Sequence, residues 1–293
     1  MINEYLSNEL KIAIGDIVVS IKTNSRYVID NAYRFFLNGG LPDVSLCIHN
    51  GYLPHIELGE KIFESHIWNL HRNNKKVVFC AYTRPKAHLL SIEKLGIFKG
   101  DFSVGDIYFV AHKFRTAFPL DYPLDQILMI NLLSQGRGIL IHGCGIDDSG
   151  EGILFAGNSG AGKSTIARLL TNKGVKVLND DRVIIRKKFG SFWMYGTPWH
   201  GEVKECLPEK VPLKKIFFIK HSKNNFIRKI TPMEVGYRLV VSSLSPFWDK
   251  RGMEFTLNLC SELANAISSY ELAFVPDPSI LDFIRRKNEL SSK

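Results

Sequence analysis

The chain has 293 residues, 45% hydrophobic and 23% charged, enough for one large or two modest packed domains. No apolar run approaches the ~20 residues that a membrane-spanning helix needs, the first ten residues hold neither a basic start nor an apolar signal core, and the five cysteines lack paired spacing. A helical membrane protein, a disulfide framework and a zinc ribbon are thereby disfavoured, and a cytoplasmic location is expected; the net charge of +9 suits a nucleotide or an acidic peptide, while the dispersed basic residues, without interleaved aromatics, disfavour nucleic acid.

From Lys11 to about Phe109 the pattern is strand-like. Ile12, Ile14, Ile17, Val19 and Ile21 read as one opening segment, Val44 to Ile48 and Lys76 to Tyr82 as further strands, with Gly39–Gly40, Asn50–Gly51 and Asn73–Asn74 as turns. His49, His55, His66, His71, His88 and His112 share no ligand spacing and read as surface or locally hydrogen-bonded residues. Residues 1–118 are therefore expected to form a mostly β accessory or substrate-receiving domain, and residues 119–293 a second domain.

Breaks at Gly105–Asp106 and Phe118–Pro119 precede a helix beginning near Tyr122–Pro123, with Leu124, Ile127, Leu128, Ile130, Leu132 and Leu133 on its apolar face. Gly138 to His142 reads as a strand, and Gly143 to Gly150 as a hairpin loop in which Asp147 and Asp148 form the turn. The hairpin makes that strand an antiparallel neighbour of the next one, Ile153 to Phe155.

That next strand opens into Gly157, Asn158, Ser159, Gly160, Ala161, Gly162, Lys163, Ser164 and Thr165, and Ile166, Ala167, Leu169 and Leu170 then recur at helical spacing. A strand, a GxxxxGKS loop and a helix together form a nucleotide phosphate site. The glycines let backbone N–H groups turn inward around phosphate oxygens, Lys163 reaches the β- and γ-phosphates, Ser164 offers its hydroxyl to Mg2+, and the helix points its positive end at the anion.

Beyond Gly174, the strand Val175 to Leu178 ends in Asn179, Asp180 and Asp181, on the phosphate-loop side if the strands run parallel. Adjacent acids on an extended chain point to opposite sides, so one faces the metal and the other the phosphate acceptor. A hairpin over Val183 to Arg186 and Phe192 to Tyr195 leads to the loop Gly196 to Glu202, where Glu202 is a candidate second magnesium contact and His200 either a structural residue or a substrate contact. Lys214 to Lys220 encloses a buried strand, Thr231–Pro232 starts a helix, Ser261 to Tyr270 reads as another, Glu271 to Val275 as a last strand, and Asp277–Pro278 caps a closing helix.

The ordered set of His142–Gly143 after a strand, a second strand entering GxSGxGKS, and a third ending in Asp180–Asp181 resembles the catalytic domain of the HPr kinase/phosphatase family, over about Leu124 to Glu202. The resemblance implies an α/β, phosphoenolpyruvate-carboxykinase-like P-loop domain with a mixed sheet. It also implies an ATP- and Mg2+-dependent serine kinase with His142, Lys163, Asp180 and Asp181 around the transferring phosphate, and with Ser164, Asp180 and Glu202 at the metal. Asp181 is the choice for accepting the hydroxyl proton and Asp180 for the metal, roles that could be exchanged. The front third does not resemble that family's N-terminal domain, and no clear counterpart of its late arginine stands out, Arg228 and Arg251 being the candidates.

The chain is closer in type to stand-alone peptide-tailoring serine kinases such as the lasso-peptide kinases. That likeness implies a serine-bearing peptide or protein as partner; the resemblance to the HPr kinase family implies a homo-oligomer as one assembly, and the lack of a long apolar run leads to no membrane being expected. The alternatives are a small-molecule or free amino-acid kinase and a non-catalytic ATP-binding regulator.

Overall fold

The computed structural model describes residues 3–5, 9–23, 27–29, 34–82, 91–110 and 120–291. The expected boundary at 118/119, with His88 and His112, lies outside them. The described chain is mixed α/β and mostly sheet, in two compact units: Met1–Leu132 with Pro246–Lys250, and Leu133–Ser245 with Arg251–Lys293. No helix among the described residues is long and apolar enough to cross a membrane.

The first unit holds β1 (Asn3–Tyr5), β2 (Glu9–Ile14), β3 (Ile17–Thr23), β4 (Tyr27–Ile29), β5 (Val44–Gly51), β6 (Glu60–Glu64), β7 (Trp68–Asn73), β8 (Lys76–Tyr82), β9 (Ile92–Lys99) and β10 (Val104–Val110), and most of α1 (Leu124–Leu133). Eight of the strands form one sheet in the order β2-β3-β5-β10-β9-β8-β7-β6, and β1 pairs with β4. The segment expected as one strand from Ile12 to Ile21 is a hairpin, because Gly15 and Asp16 both adopt positive φ (59° and 56°), the geometry of a two-residue turn that matches strand twist. The turn expected at Asn73–Asn74 falls one residue later, at Asn74–Lys75, with Asn73 paired to Lys76 as the last residue of β7 and Asn74 at φ 52°. His71, expected at the surface or locally hydrogen-bonded, is buried at 6% exposure, and neither ring nitrogen has a partner among the described residues.

The second unit holds β11 (Ile139–Asp148), β12 (Glu151–Ala156), α2 (Lys163–Thr171), β13 (Lys176–Asn179), β14 (Arg182–Lys188), β15 (Ser191–Tyr195), β16 (Lys210–His221), β17 (Phe226–Lys229), α3 (Pro232–Ser242), β18 (Ser243–Leu244), α4 (Lys250–Ala266, from Arg251 on), β19 (Ser268–Phe274) and α5 (Ile280–Ser291). Apolar residues alternate between the two faces of its sheet. Ile153 and Phe155 of β12 pack with Ile166 and Leu170 of α2 and Ile280 and Ile284 of α5, whereas Leu154 and Ala156 pack with Leu239 of α3 and Leu263 of α4. Burial on both faces is why β12 reads as an unbroken apolar run.

Two long strands organise the sheet. β11 was expected to end at His142 but continues to Asp148, and the turn is only Ser149–Gly150. Gly143 and Gly145 pair within the strand, and glycine is required at both because a Cβ would lie 2.8 Å from Leu154 and from Val183 respectively. The first half of β11 pairs with β14 and its second half with β12 and β13. β16 likewise pairs with β15 early, then runs parallel to β12 and β19.

Candidate active site

β12 and β13 flank β11 and both run antiparallel to it, so their C-terminal ends reach the same edge of the sheet. The phosphate loop leaves one and the Asn179–Asp181 turn leaves the other. Between them lies a cavity of about 340 Å³ lined by Ser159, Gly160, Gly162, Lys163, Ser164 and Thr165 on one wall, His142, Asp180 and Asp181 on another, and Arg168, Gly201, Glu202 and His221 around them.

The loop has the local geometry its sequence demands. Gly162 caps α2 at φ 102°, a left-handed conformation that disfavours any side chain. Gly157, Asn158 and Ala161 do not line the cavity. Gly157 and Asn158 instead give their carbonyls to the Lys163 amine at 2.9 and 3.0 Å, and Ala161 packs against the apolar core beneath the loop. Lys163 is buried, which lowers its pKa, while the charges of Asp181 and Asp180 act in the opposite sense.

The paired acids have separate surroundings. Asp180 is buried, and its two carboxylate oxygens accept the N–H groups of Gly201 (2.8 Å) and Val203 (3.0 Å), which ties down the loop after β15. Asp181 lies near His142, whose Nδ1 is 3.2 Å from Oδ1, and accepts Nε of Arg182 at 2.9 Å. Burial pushes the Asp181 carboxyl up, but the His142 hydrogen bond and the Arg182 guanidinium together outweigh it and hold the pKa below the usual carboxylate range. The strand register brings His142 there, since it lies opposite Arg182 and the next residue, Gly143, donates its N–H to the Asp181 carbonyl at 2.9 Å.

Asn179 shapes this turn, a role its sequence position does not announce. Fully buried, it accepts the N–H groups of Asp181 and Arg182 through Oδ1, both at 2.8 Å. Its Nδ2 donates to the carbonyls of Thr197 (2.9 Å) and Trp199 (2.8 Å), so one side chain joins the acidic turn to the next loop. An Asx turn after a strand is the signal that could have found it.

The remaining expected residues are placed as follows. Glu202 lines the cavity but its carboxylate pairs with Arg168 at 3.0 Å. His200 directs Nδ1 at the Gly201 carbonyl and does not line the cavity. Arg228 is engaged with Glu234 and Glu271, and neither it nor Arg251 lines the cavity; the arginines at the site are Arg168 and Arg182, the latter over the Trp199 ring at 5.6 Å. His221, on the opposite side of the loop from His142, was not anticipated.

Among the described residues no three His, Cys, Asp or Glu side chains form a metal cluster. Magnesium in nucleotide sites is held by one or two carboxylates, a hydroxyl, water and substrate phosphates, so the sharing of one cavity by Ser164 and the Asp180–Asp181 pair fits such an ion. Glu202, whose carboxylate is paired with Arg168, is the weakest of the expected ligands.

Fold and site together define a mixed α/β chain whose second unit carries a polar cavity lined by the glycine-rich loop and the aspartate pair. Residues 124–268, just under half of the chain, match the family described as SynChlorMet cassette protein ScmC. Among solved structures, the HPr(Ser) kinase/phosphatase from Coxiella burnetii is similar at 10% identity and a TM-score of 0.33, over 52% of this chain and 97% of that one. A likeness this weak decides neither fold nor function. Among curated proteins none matches.

Proposed function

We propose that this protein is an ATP- and Mg2+-dependent kinase that transfers the γ-phosphate to a serine hydroxyl of a peptide or protein, with a ribosomally made precursor peptide as the favoured acceptor. The second unit would then be an HPr-kinase-like member of the phosphoenolpyruvate-carboxykinase-like fold. One observation carries the kinase reading: the phosphate loop with Lys163 and Ser164 shares a cavity with the ionised Asp181, which His142 and Arg182 hold in place.

The loop amides and the Lys163 ammonium hold the β- and γ-phosphates. To do so the Lys163 amine moves from the Gly157 and Asn158 carbonyls it contacts here to phosphate oxygens. Ser164 and a carboxylate of the aspartate pair would hold magnesium, which when bound offsets phosphate charge. Asp181 orients the serine hydroxyl and accepts its proton, while His142 and Arg182 keep the carboxylate ionised and directed into the cavity.

The test is incubation of the full chain with ATP, Mg2+ and serine-containing peptides or free serine, with the mass of each acceptor measured. A peptide should gain one phosphoryl group, and Asp181→Asn should lower the rate by about 100-fold or more while ATP still binds. Transfer at the wild-type rate by Asp181→Asn would remove the assigned base, and phosphorylation of free serine alone would remove the peptide acceptor.

A further inference from the structure

We propose that the His221 imidazole is the platform on which the nucleotide base stacks, an assignment that rests on the nucleotide reading of the phosphate loop. β12 has β11 on one side and β16 on the other. His142 and Asp181 reach the cavity from the β11 and β13 side, whereas His221 is the last residue of β16 and reaches it from the opposite side. A phosphate to be transferred toward Asp181 sits at the first side. The rest of the nucleotide therefore leaves the loop toward the second, where His221 stands.

The ring is already placed for this role. Its centroid lies 5.3 Å from that of the buried Phe274, at 31° between planes, so apolar packing holds one part of the imidazole. It comes so close to the loop that a Cβ at Gly162 would be 2.8 Å from His221 Cε1. Among the described residues it makes no hydrogen bond or ion pair, and the side chain is solvent-exposed where it lines the cavity. A flat, exposed ring packed on an aromatic and beside a phosphate cradle suits a base, because stacking needs only a π-face.

The experiment titrates the full-length protein, in Mg2+, with ATP and with inorganic tripolyphosphate, which has the phosphates but no base. Wild type, His221→Ala and His221→Phe are compared by calorimetry. We expect His221→Ala to weaken ATP about 10-fold and leave tripolyphosphate unchanged, and His221→Phe to retain ATP affinity, since a phenyl ring also stacks. Equal ATP affinity in wild type and His221→Ala overturns the proposal. A parallel loss of ATP and tripolyphosphate in both variants also overturns it and makes His221 a phosphate contact. Failure of the wild type to bind either ligand overturns the nucleotide reading itself.

Discussion

At the scale of single residues, two adjacent aspartates are divided between two tasks by the groups around them. Asp180 accepts two backbone N–H groups and secures the 201–203 segment, and Asp181 meets His142 and Arg182 at the cavity. Strand alternation predicts that they point apart, but not which one meets His142 and which the 201–203 segment, because those partners lie as far as 39 residues away. Asn179 fixes the backbone turn that carries Asp181. Asn179→Ala removes two accepted hydrogen bonds, two donated to carbonyls and a longer one to Cys206 Sγ from a fully buried position, and should destabilise the protein by about 2–4 kcal/mol in urea unfolding. A loss below about 0.5 kcal/mol would show that the loops hold themselves without it.

At the scale of elements, the strand-loop-helix around Lys163 is the most legible part of the chain because its geometry is local. Gly162→Ala must accommodate both a left-handed φ of 102° and a Cβ 2.8 Å from His221 and Phe274. Gly160→Ala meets only the left-handed φ of 79°, with nothing within 4 Å. Gly162→Ala should therefore cost about 1–3 kcal/mol and abolish measurable ATP binding, and Gly160→Ala should cost about 1 kcal/mol, as thermal melts and ATP titration would show. Equal melting temperatures for the two variants would mean that the close approach of β16 is not a constraint. Elsewhere local signals mislead: Gly143 suggests the end of β11, whereas its missing Cβ admits neighbouring side chains within the strand, and the Gly15–Asp16 turn is masked by the apolar series around it.

At the scale of the whole molecule, the second unit is bound by charge as well as by its two apolar cores. Glu271 of β19 meets Lys220 of β16 at 2.8 Å, Arg238 of α3 at 2.7 Å and Arg228 of β17 at 3.4 Å, with Glu234 bridging the two arginines. The Lys220 hydrogen bond, aided by Arg238 and opposed by burial, holds the Glu271 carboxyl at about 2, below its ordinary 4.5. Folding thus favours the ionised form, so this contribution is complete above about pH 4.5 and disappears as pH falls toward 2. Glu271→Gln should lower stability by about 1–3 kcal/mol at pH 7, and the gap from wild type should close between those two pH values in urea titrations. A gap that stays constant with pH would assign the loss to packing instead.

The sequence by itself determined what could be written within a short stretch: the glycine spacing that needs left-handed backbone, the lysine and serine that follow it, the apolar run of a strand covered on both faces, and the Thr231–Pro232 helix start, where Thr231 accepts the Glu234 N–H. Only the tertiary structure decided that Asp181 faces the cavity, that Glu202 turns to Arg168, and that His221 stands beside Gly162, 59 positions before it in the chain. Backbone conformation depends on each residue and its near neighbours, whereas the direction of a side chain at the end of a strand depends on register and packing against segments far away in the chain.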